Sequence, residues 1–442
     1  MIIMSIENIF LKDFFSTLNE KSIDYCVLRN YQTLPKTLDG SDLDILIASK
    51  NIKFFYKTLD ILLLKYQGKI VIQYGQLTPR ICILIQHKNS FYGIQLDVHE
   101  GILPYKTSNM FSVDLMLKRS KRHNTIRVAD DNDAHLVAFF KEILHNSKCT
   151  EKYFLLAQKS WIENSFYQKE LLEVYPQYFI NDLNHLFLST YNIDKINKLS
   201  QRGRSVLGKK LSTKIKNFKI NLRKIYRFKK RPGVTIAMMG TDGAGKTTII
   251  NEILKPLNEA VHNAVYYEHM RPNLIPNIAQ FFGKKKQTEP ISNPHASKPS
   301  GLLGSSLRLF YYSFDYIVGF WFKIYPVMVK KSSIWIFDRY YYDYMIDPKR
   351  ARISLPRWVI NSMNFFIPEP DLILCFGAES SIIYQRKPEH TLEEVENQVN
   401  KLKVFCKKNS RAVWIDTGVS IDKSVEETLN IISLMMSKRY NK

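Results

Sequence analysis

Residues 240–247 read Gly-Thr-Asp-Gly-Ala-Gly-Lys-Thr, entered by an apolar run at 234–239 and followed by helical spacing over 247–257. No other segment narrows the possible folds as far. A strand, a glycine-rich turn and a helix in that order aim successive backbone N–H groups at an anion held at the helix N-terminus. Lys246 adds a mobile positive charge suited to the β- and γ-phosphates of a nucleoside triphosphate, and the Thr247 hydroxyl suits a magnesium ion. ATP and Mg²⁺ are therefore the expected ligands, bound by Gly240, Asp242, Gly243, Ala244, Gly245, Lys246, Thr247 and Thr248.

The rest of this half supports the same fold class. Short apolar runs at 264–267, 334–337, 372–376 and 412–415 alternate with helical stretches, which predicts an α/β domain built on a doubly wound parallel sheet. The run at 334–337 ends in Asp338-Arg339, so a carboxylate stands at the carboxyl end of a strand, where open α/β sheets bind ligands. Asp338 is expected to hold Mg²⁺ or orient the acceptor, and Arg339 to grip an anionic group. Asp338 and Asp343 are both open as the general base. Arg386 and Lys387, beyond the strand at 372–376, are expected in a cationic lid over the moving phosphoryl group.

GTDGAGKTT, then Asp338-Arg339-Tyr340, then PDLILCF and a short basic segment together resemble the thymidylate kinase family of nucleoside monophosphate kinases, over residues 233–442. The resemblance implies a core parallel sheet, Lys246 and Thr247 on the nucleotide, Arg339 and Tyr340 near the acceptor, and Arg386 or Lys387 in the lid. The family's Arg-Glu-Pro-Gly-Gly segment is replaced here by His269-Met270-Arg271-Pro272-Asn273, which keeps Arg271 as an expected acceptor contact. The positions after Tyr340 that help recognise thymidine are replaced as well, and residues 281–300 read as an insertion. Acceptor identity follows pocket contacts, so an acceptor other than thymidylate is expected.

Nearer the amino terminus, residues 40–47 read GSDLDILI. Side chains alternate along a strand, so Asp42 and Asp44 share a face. Asp97 lies in a later apolar run, and three carboxylates converging from neighbouring strands can hold divalent ions on a nucleotide. This arrangement resembles the nucleotidyltransferase superfold over about residues 20–130, with Arg29 as a further phosphate contact. The alternative reading of DGSD is plain turn chemistry entering a strand.

The expected domains are 1–130, nucleotidyltransferase-like α+β; 131–200, a helical segment; 201–232, a basic linker; and 233–442, the phosphotransferase. The formal net charge of +23 has its densest contribution in residues 201–233, which hold thirteen Lys or Arg and no acid. That stretch is expected as a solvated linker helix, with contact to an anionic surface as the alternative; nucleic acid is not the expected partner. Residues 310–329 are aromatic, but Asp315, Lys323 and Pro326 interrupt them, so a buried helix is expected rather than a membrane span. The five cysteines form no CxxC pair, and the amino-terminal residues lack the pattern of a secretion signal, which together suit the cytoplasm.

The expected function is ATP- and Mg²⁺-dependent phosphoryl transfer to a small molecule, a sugar, polyol or nucleotide, joined to a nucleotidyltransferase-like domain. Such fusions resemble proteins of surface-polysaccharide pathways. A true thymidylate kinase and a nucleotide-binding regulatory module that contacts nucleic acid are the alternatives. The oligomeric state, a dimer included, stays open.

Overall fold

The computed structural model describes residues 5–75, 77–88, 90–208, 225–275, 301–388 and 391–440. They fall into two compact units, Met1–Gly68 with Gln73–Lys229, and Lys69–Ile72 with Lys230–Lys442.

The first unit begins with a helix, Ile6–Glu20, whose Ser5 side chain caps the Asn8 amide. The strands that follow are β1 (Tyr25–Val27), β2 (Leu43–Ile47), β3 (Lys69–Tyr74, of which Lys69–Ile72 belong to the second unit), β4 (Arg80–His87), β5 (Ser90–Glu100), the small ribbon β6 (Pro104–Tyr105) and β7 (Ser108–Asn109), then β8 (Lys121–His123) and β9 (Ile126–Val128). The sheet runs in the order β4-β5-β2-β1-β9-β8. Its centre is parallel: β2 lies beside β5 with Asp44 opposite Asp97. That register brings together two residues far apart in the chain.

Past Asp130 the chain turns helical. Asp130 caps the Asp131–Lys141 helix at Asn132, and the acids of its first turn oppose the helix dipole. The helices Glu151–Glu163, Gln177–Phe187 and Ile193–Gly208 close over an aromatic core that includes Phe139, Phe154, Trp161 and Phe187. Inside it Asp133 is fully buried, accepting from the Arg119 guanidinium at 2.7 Å and the Tyr167 hydroxyl at 2.7 Å.

The second unit carries a parallel sheet of five strands, β10 (Val234–Gly240), β11 (Val265–His269), β12 (Ile334–Asp338), β13 (Leu372–Gly377) and β14 (Ala412–Asp416), in the order β11-β12-β10-β13-β14. Every residue of β10, β12 and β13 is buried, as continuous apolar runs of a sheet covered on both faces require. The chain leaves β10 for β11 at the edge and returns through β12, so the carboxyl ends of β10 and β12 flank a switch point of the topology.

Two expectations change. The helix Ile193–Gly208 runs on through the start of the stretch expected as linker. Its first arginines are structural: Arg202 pairs with Asp182, and Arg204 donates to the Leu144 carbonyl at 2.8 Å. Residues 209–224, and the insertion at 281–300, lie outside the described residues. The second change concerns residues 310–329, which are not uniformly buried. Leu302–Gly319 is a helix that passes through a π turn, Phe320–Ile324, into Tyr325–Lys330. Pro326 has no N–H to donate, and the wider turn just before it accommodates the loss. Leu309, Ser313, Tyr316 and Phe320 face the core, whereas Phe310, Phe314, Trp321 and Phe322 are exposed. No described helix is long and apolar enough to cross a membrane.

Phe187 touches Phe139, Phe154 and Trp161 at ring separations of 5.1–5.8 Å. Phe187→Ala should lower the stability of the first unit by about 3–5 kcal/mol in urea unfolding followed by tryptophan fluorescence.

Candidate active site

At the end of β10 the backbone turns through residues 241–245 into the helix Lys246–Ala260. Two glycines of the turn cannot be replaced without cost. Gly243 has φ +82°, and a Cβ there would lie 2.9 Å from the Ile383 carbonyl oxygen. A Cβ on Gly240 would lie 2.7 Å from the Phe376 carbonyl oxygen. Lys246 is buried and folds back over its own loop, donating to the carbonyls of Gly240 and Thr241 at 2.9 Å each. Burial first, and the Arg339 charge second, push its ammonium down to about 7. A phosphate would relieve both. Thr247 and Thr248 are exposed on the first helical turn, and the Thr241 hydroxyl is buried without a partner.

Asp242 does not point at this cradle as a free carboxylate. It accepts from Arg339 at 2.6 Å and from Arg350 at 2.5 Å. Burial opposes its ionisation, but the two guanidiniums and Lys246 outweigh it and hold its pKa well below the usual carboxylate range. Arg339 also donates to both oxygens of Asp343, at 3.1 and 3.0 Å. Only 4% exposed, with φ +74° and its own N–H bonded to the Met238 carbonyl at 2.9 Å, Arg339 is held in a conformation that side-chain-bearing residues rarely adopt. The guanidinium expected on the acceptor is thus committed to two carboxylates. Asp343, one of two candidates for the base, is committed with it.

Asp338 sits at the end of β12, in register with His269 at the end of β11. Its Oδ2 accepts from the Tyr267 hydroxyl at 3.0 Å and lies 3.9 Å from His269 Nδ1. Its Oδ1 is buried with no partner. Burial works to raise its pKa, but His269, Lys246 and Arg339 prevail and hold it at about 2, so it is ionised at neutral pH.

The remaining expected residues divide. Arg271 is buried, paired with Asp315 at 3.1 Å and stacked 4.8 Å over Tyr312. Asp315 in turn accepts the backbone N–H groups of Asn273, Leu274 and Ile275 at 2.9–3.1 Å, which anchors the chain after β11. Tyr340, expected at the acceptor, turns inward, and its hydroxyl donates to the Pro368 carbonyl at 2.5 Å. Arg386 donates to the Thr417 carbonyl at 2.9 Å, and the Cβ of Lys387 would stand 3.1 Å from a Cβ on Gly243, so this pair flanks the phosphate loop.

In the first unit Asp42, Asp44 and Asp97 present carboxylate oxygens within 4.8 Å of one another. Guanidiniums answer them. Arg29 binds Asp44 through Nε and Asp42 through Nη2 at 3.3 Å, while Arg80 forks onto Asp97 at 2.9 and 3.0 Å. His99 Nε2 lies 3.6 Å from Asp44, and its buried Nδ1 has no partner. Burial of Asp44 favours its neutral form, but His99 and Arg29 reverse the balance and hold its pKa at about 2.

No protein-family model matches the chain. Among solved structures, thymidylate kinase from Ehrlichia chaffeensis is 16% identical over 45% of this chain and 98% of its own, with a TM-score of 0.32. Thymidylate kinase from Candida albicans is 16% identical over 46% of this chain and 92% of its own, with a TM-score of 0.34. The parallel sheet and the glycine-rich loop described above stand on strand order and loop geometry alone.

Sequence reasoning missed Tyr267, His269, Asp315 and Arg350, and in the first unit Arg80 and His99. A lone acid inside the apolar run YYSFDYIVG was a legible signal for Asp315. The others carry no motif. Arg339→Met should strand the buried Asp343, while Asp242 keeps Arg350, and lower stability by about 3–5 kcal/mol in urea unfolding. The double variant Arg339→Met/Asp343→Asn should recover part of that loss.

Proposed function

We propose that residues 233–442 form an ATP- and Mg²⁺-dependent kinase that transfers the γ-phosphoryl group to a small molecule. The observation that carries this reading is the loop at 240–247, with a buried lysine folded over it, positive φ at Gly243 and Gly245, and no room for a Cβ at Gly240 or Gly243. The unpartnered Thr241 hydroxyl and the exposed first turn of the Lys246–Ala260 helix fit a triphosphate, and Thr247 is the residue that would hold magnesium there. The ion would neutralise charge on the phosphates. Lys246 would leave the two loop carbonyls for the phosphates, and Arg386 and Lys387 stand where they can cover them. Cytoplasmic ATP would supply the reaction.

Lys246→Ala should reduce ADP formation by about 10²–10³-fold in a coupled assay, with the fold intact by circular dichroism. Undiminished ADP formation would remove Lys246 from the reaction.

A second reading concerns the first unit. Its three converging carboxylates fit a divalent ion, and we propose a nucleotidyltransferase-like nucleotide site at Asp42, Asp44 and Asp97. The half-exposed Arg29 side chain, now bridging two of them, would have to yield. Titration with Mn²⁺ followed by electron paramagnetic resonance should show binding to the Lys246→Ala protein that weakens at least ~10-fold in Asp44→Asn. An identical titration in both proteins would dispose of this second site.

A further inference from the structure

Two chemical kinds of phosphoryl acceptor, the phosphate monoester and the alcohol, ask for different sites. A phosphate monoester arrives as an anion that is already nucleophilic, and cations must meet it. An alcohol arrives neutral and gives up a proton as it reacts, so a base must stand beside it.

Among the described residues around the carboxyl ends of β11 and β12, four cations are committed to partners. Arg271 is paired with Asp315, Arg339 with Asp242 and Asp343, and Arg350 with Asp242. Lys323 is paired with Glu268 and also donates to the Pro272 carbonyl at 2.5 Å. Recruiting any of these to an incoming anion breaks an ion pair that is partly or wholly buried, and strands a carboxylate. Burial makes that most costly for Arg271 and Arg339, whose side chains are 7% and 5% exposed.

A base stands beside these committed cations. Of the carboxylates here, Asp343 has both oxygens under Arg339, Asp242 is shared by Arg339 and Arg350, and Asp315 is filled by Arg271 and three backbone N–H groups. Asp338 alone among these four keeps a buried oxygen with no hydrogen-bond partner. Its other oxygen is fixed by Tyr267 and faces His269, so the carboxylate cannot turn away. Tyr267 and His269 are also the exposed side chains at the end of β11, and both offer hydrogen-bonding groups of the kind that recognise hydroxyls.

We propose that the acceptor of this kinase is an alcohol rather than a phosphate monoester, and that Asp338 takes the proton of the reacting hydroxyl while Tyr267 and His269 hold Asp338 in place. This rests on the kinase reading above and names the acceptor class for it. In the step, the hydroxyl oxygen forms a bond to the γ-phosphorus of ATP. The bond from that phosphorus to the bridging oxygen breaks and its electron pair leaves on ADP, while the hydroxyl proton passes to Asp338. The product is a phosphate monoester and ADP. Phosphoryl transfer is loose, so a weak carboxylate base that receives the proton late is sufficient.

The test uses the full chain, a fluorescent ATP analogue to measure nucleotide binding, and ³¹P NMR to identify products. Glycerol, ribitol, glucose and thymidine are offered in excess as alcohols; thymidylate, UMP and glucose 1-phosphate are offered as monoesters. The expected result is a phosphate monoester from at least one alcohol and no anhydride from any monophosphate. Asp338→Asn should bind the ATP analogue as the wild type does and lose at least ~100-fold in alcohol phosphorylation. Tyr267→Phe should lower kcat for the alcohol with nucleotide affinity unchanged, which a purely structural tyrosine would not do. An anhydride product from thymidylate or UMP overturns the inference. So does the absence of any monoester from the alcohols while ATP is bound, or an Asp338→Asn protein that phosphorylates alcohols at the wild-type rate. A wild-type chain that fails to bind the ATP analogue brings down the kinase reading itself, which separates the two failures.

Discussion

The second unit depends on one buried guanidinium. Arg339 joins the glycine-rich loop, through Asp242, to the short helix Tyr342–Ile346 after β12, through Asp343, and its own backbone is pinned to β10 at Met238. A charge so deep is tolerated because the carboxylates on either side compensate it; without them the desolvation cost would be prohibitive. Arg350 completes the arrangement by closing on the other oxygen of Asp242. The ends of β10 and β12 are thereby fixed to each other, and they are the two strand ends that flank the switch point of the sheet. Asp338 inherits its position from this tie, being the residue immediately before Arg339.

The same economy of charge appears in the first unit with a different outcome. Asp42, Asp44 and Asp97 meet across β2 and β5, and Arg29 and Arg80 neutralise them. Three acids at this spacing could not remain ionised together without such partners or an ion. A guanidinium that is half exposed, as that of Arg29 is, differs from the buried one of Arg339 because it can leave at modest cost.

Much of the architecture was legible in the residues. The strands at 234–239, 334–337, 372–376 and 412–415 are close to β10, β12, β13 and β14, because buried parallel strands are short apolar runs bounded by turns. The glycine-rich turn between β10 and the Lys246–Ala260 helix was legible because glycine spacing is a local requirement of the backbone. Less legible was Lys69–Tyr74, whose alternation is weak, and the division of residues 310–329 into a buried and an exposed face. Composition alone cannot tell a buried aromatic from an exposed one when both occur on one helix.

The sequence by itself determined the glycine-rich loop, the apolar strands around it and the acids at or beside strand ends, since each is encoded within a short window of residues. Only the tertiary structure decided which charges remain available. Arg271 and Arg339 looked like acceptor ligands and are instead paired with Asp315, Asp242 and Asp343, partners that for Asp242 and Asp315 lie 97 and 44 residues away. Tyr340 looked exposed to the acceptor and turned into the core, while Tyr267 and His269, which no motif marks, came to stand beside Asp338. The physical reason is that an ionisable side chain is defined by its neighbours, and those neighbours are chosen by strand register and burial.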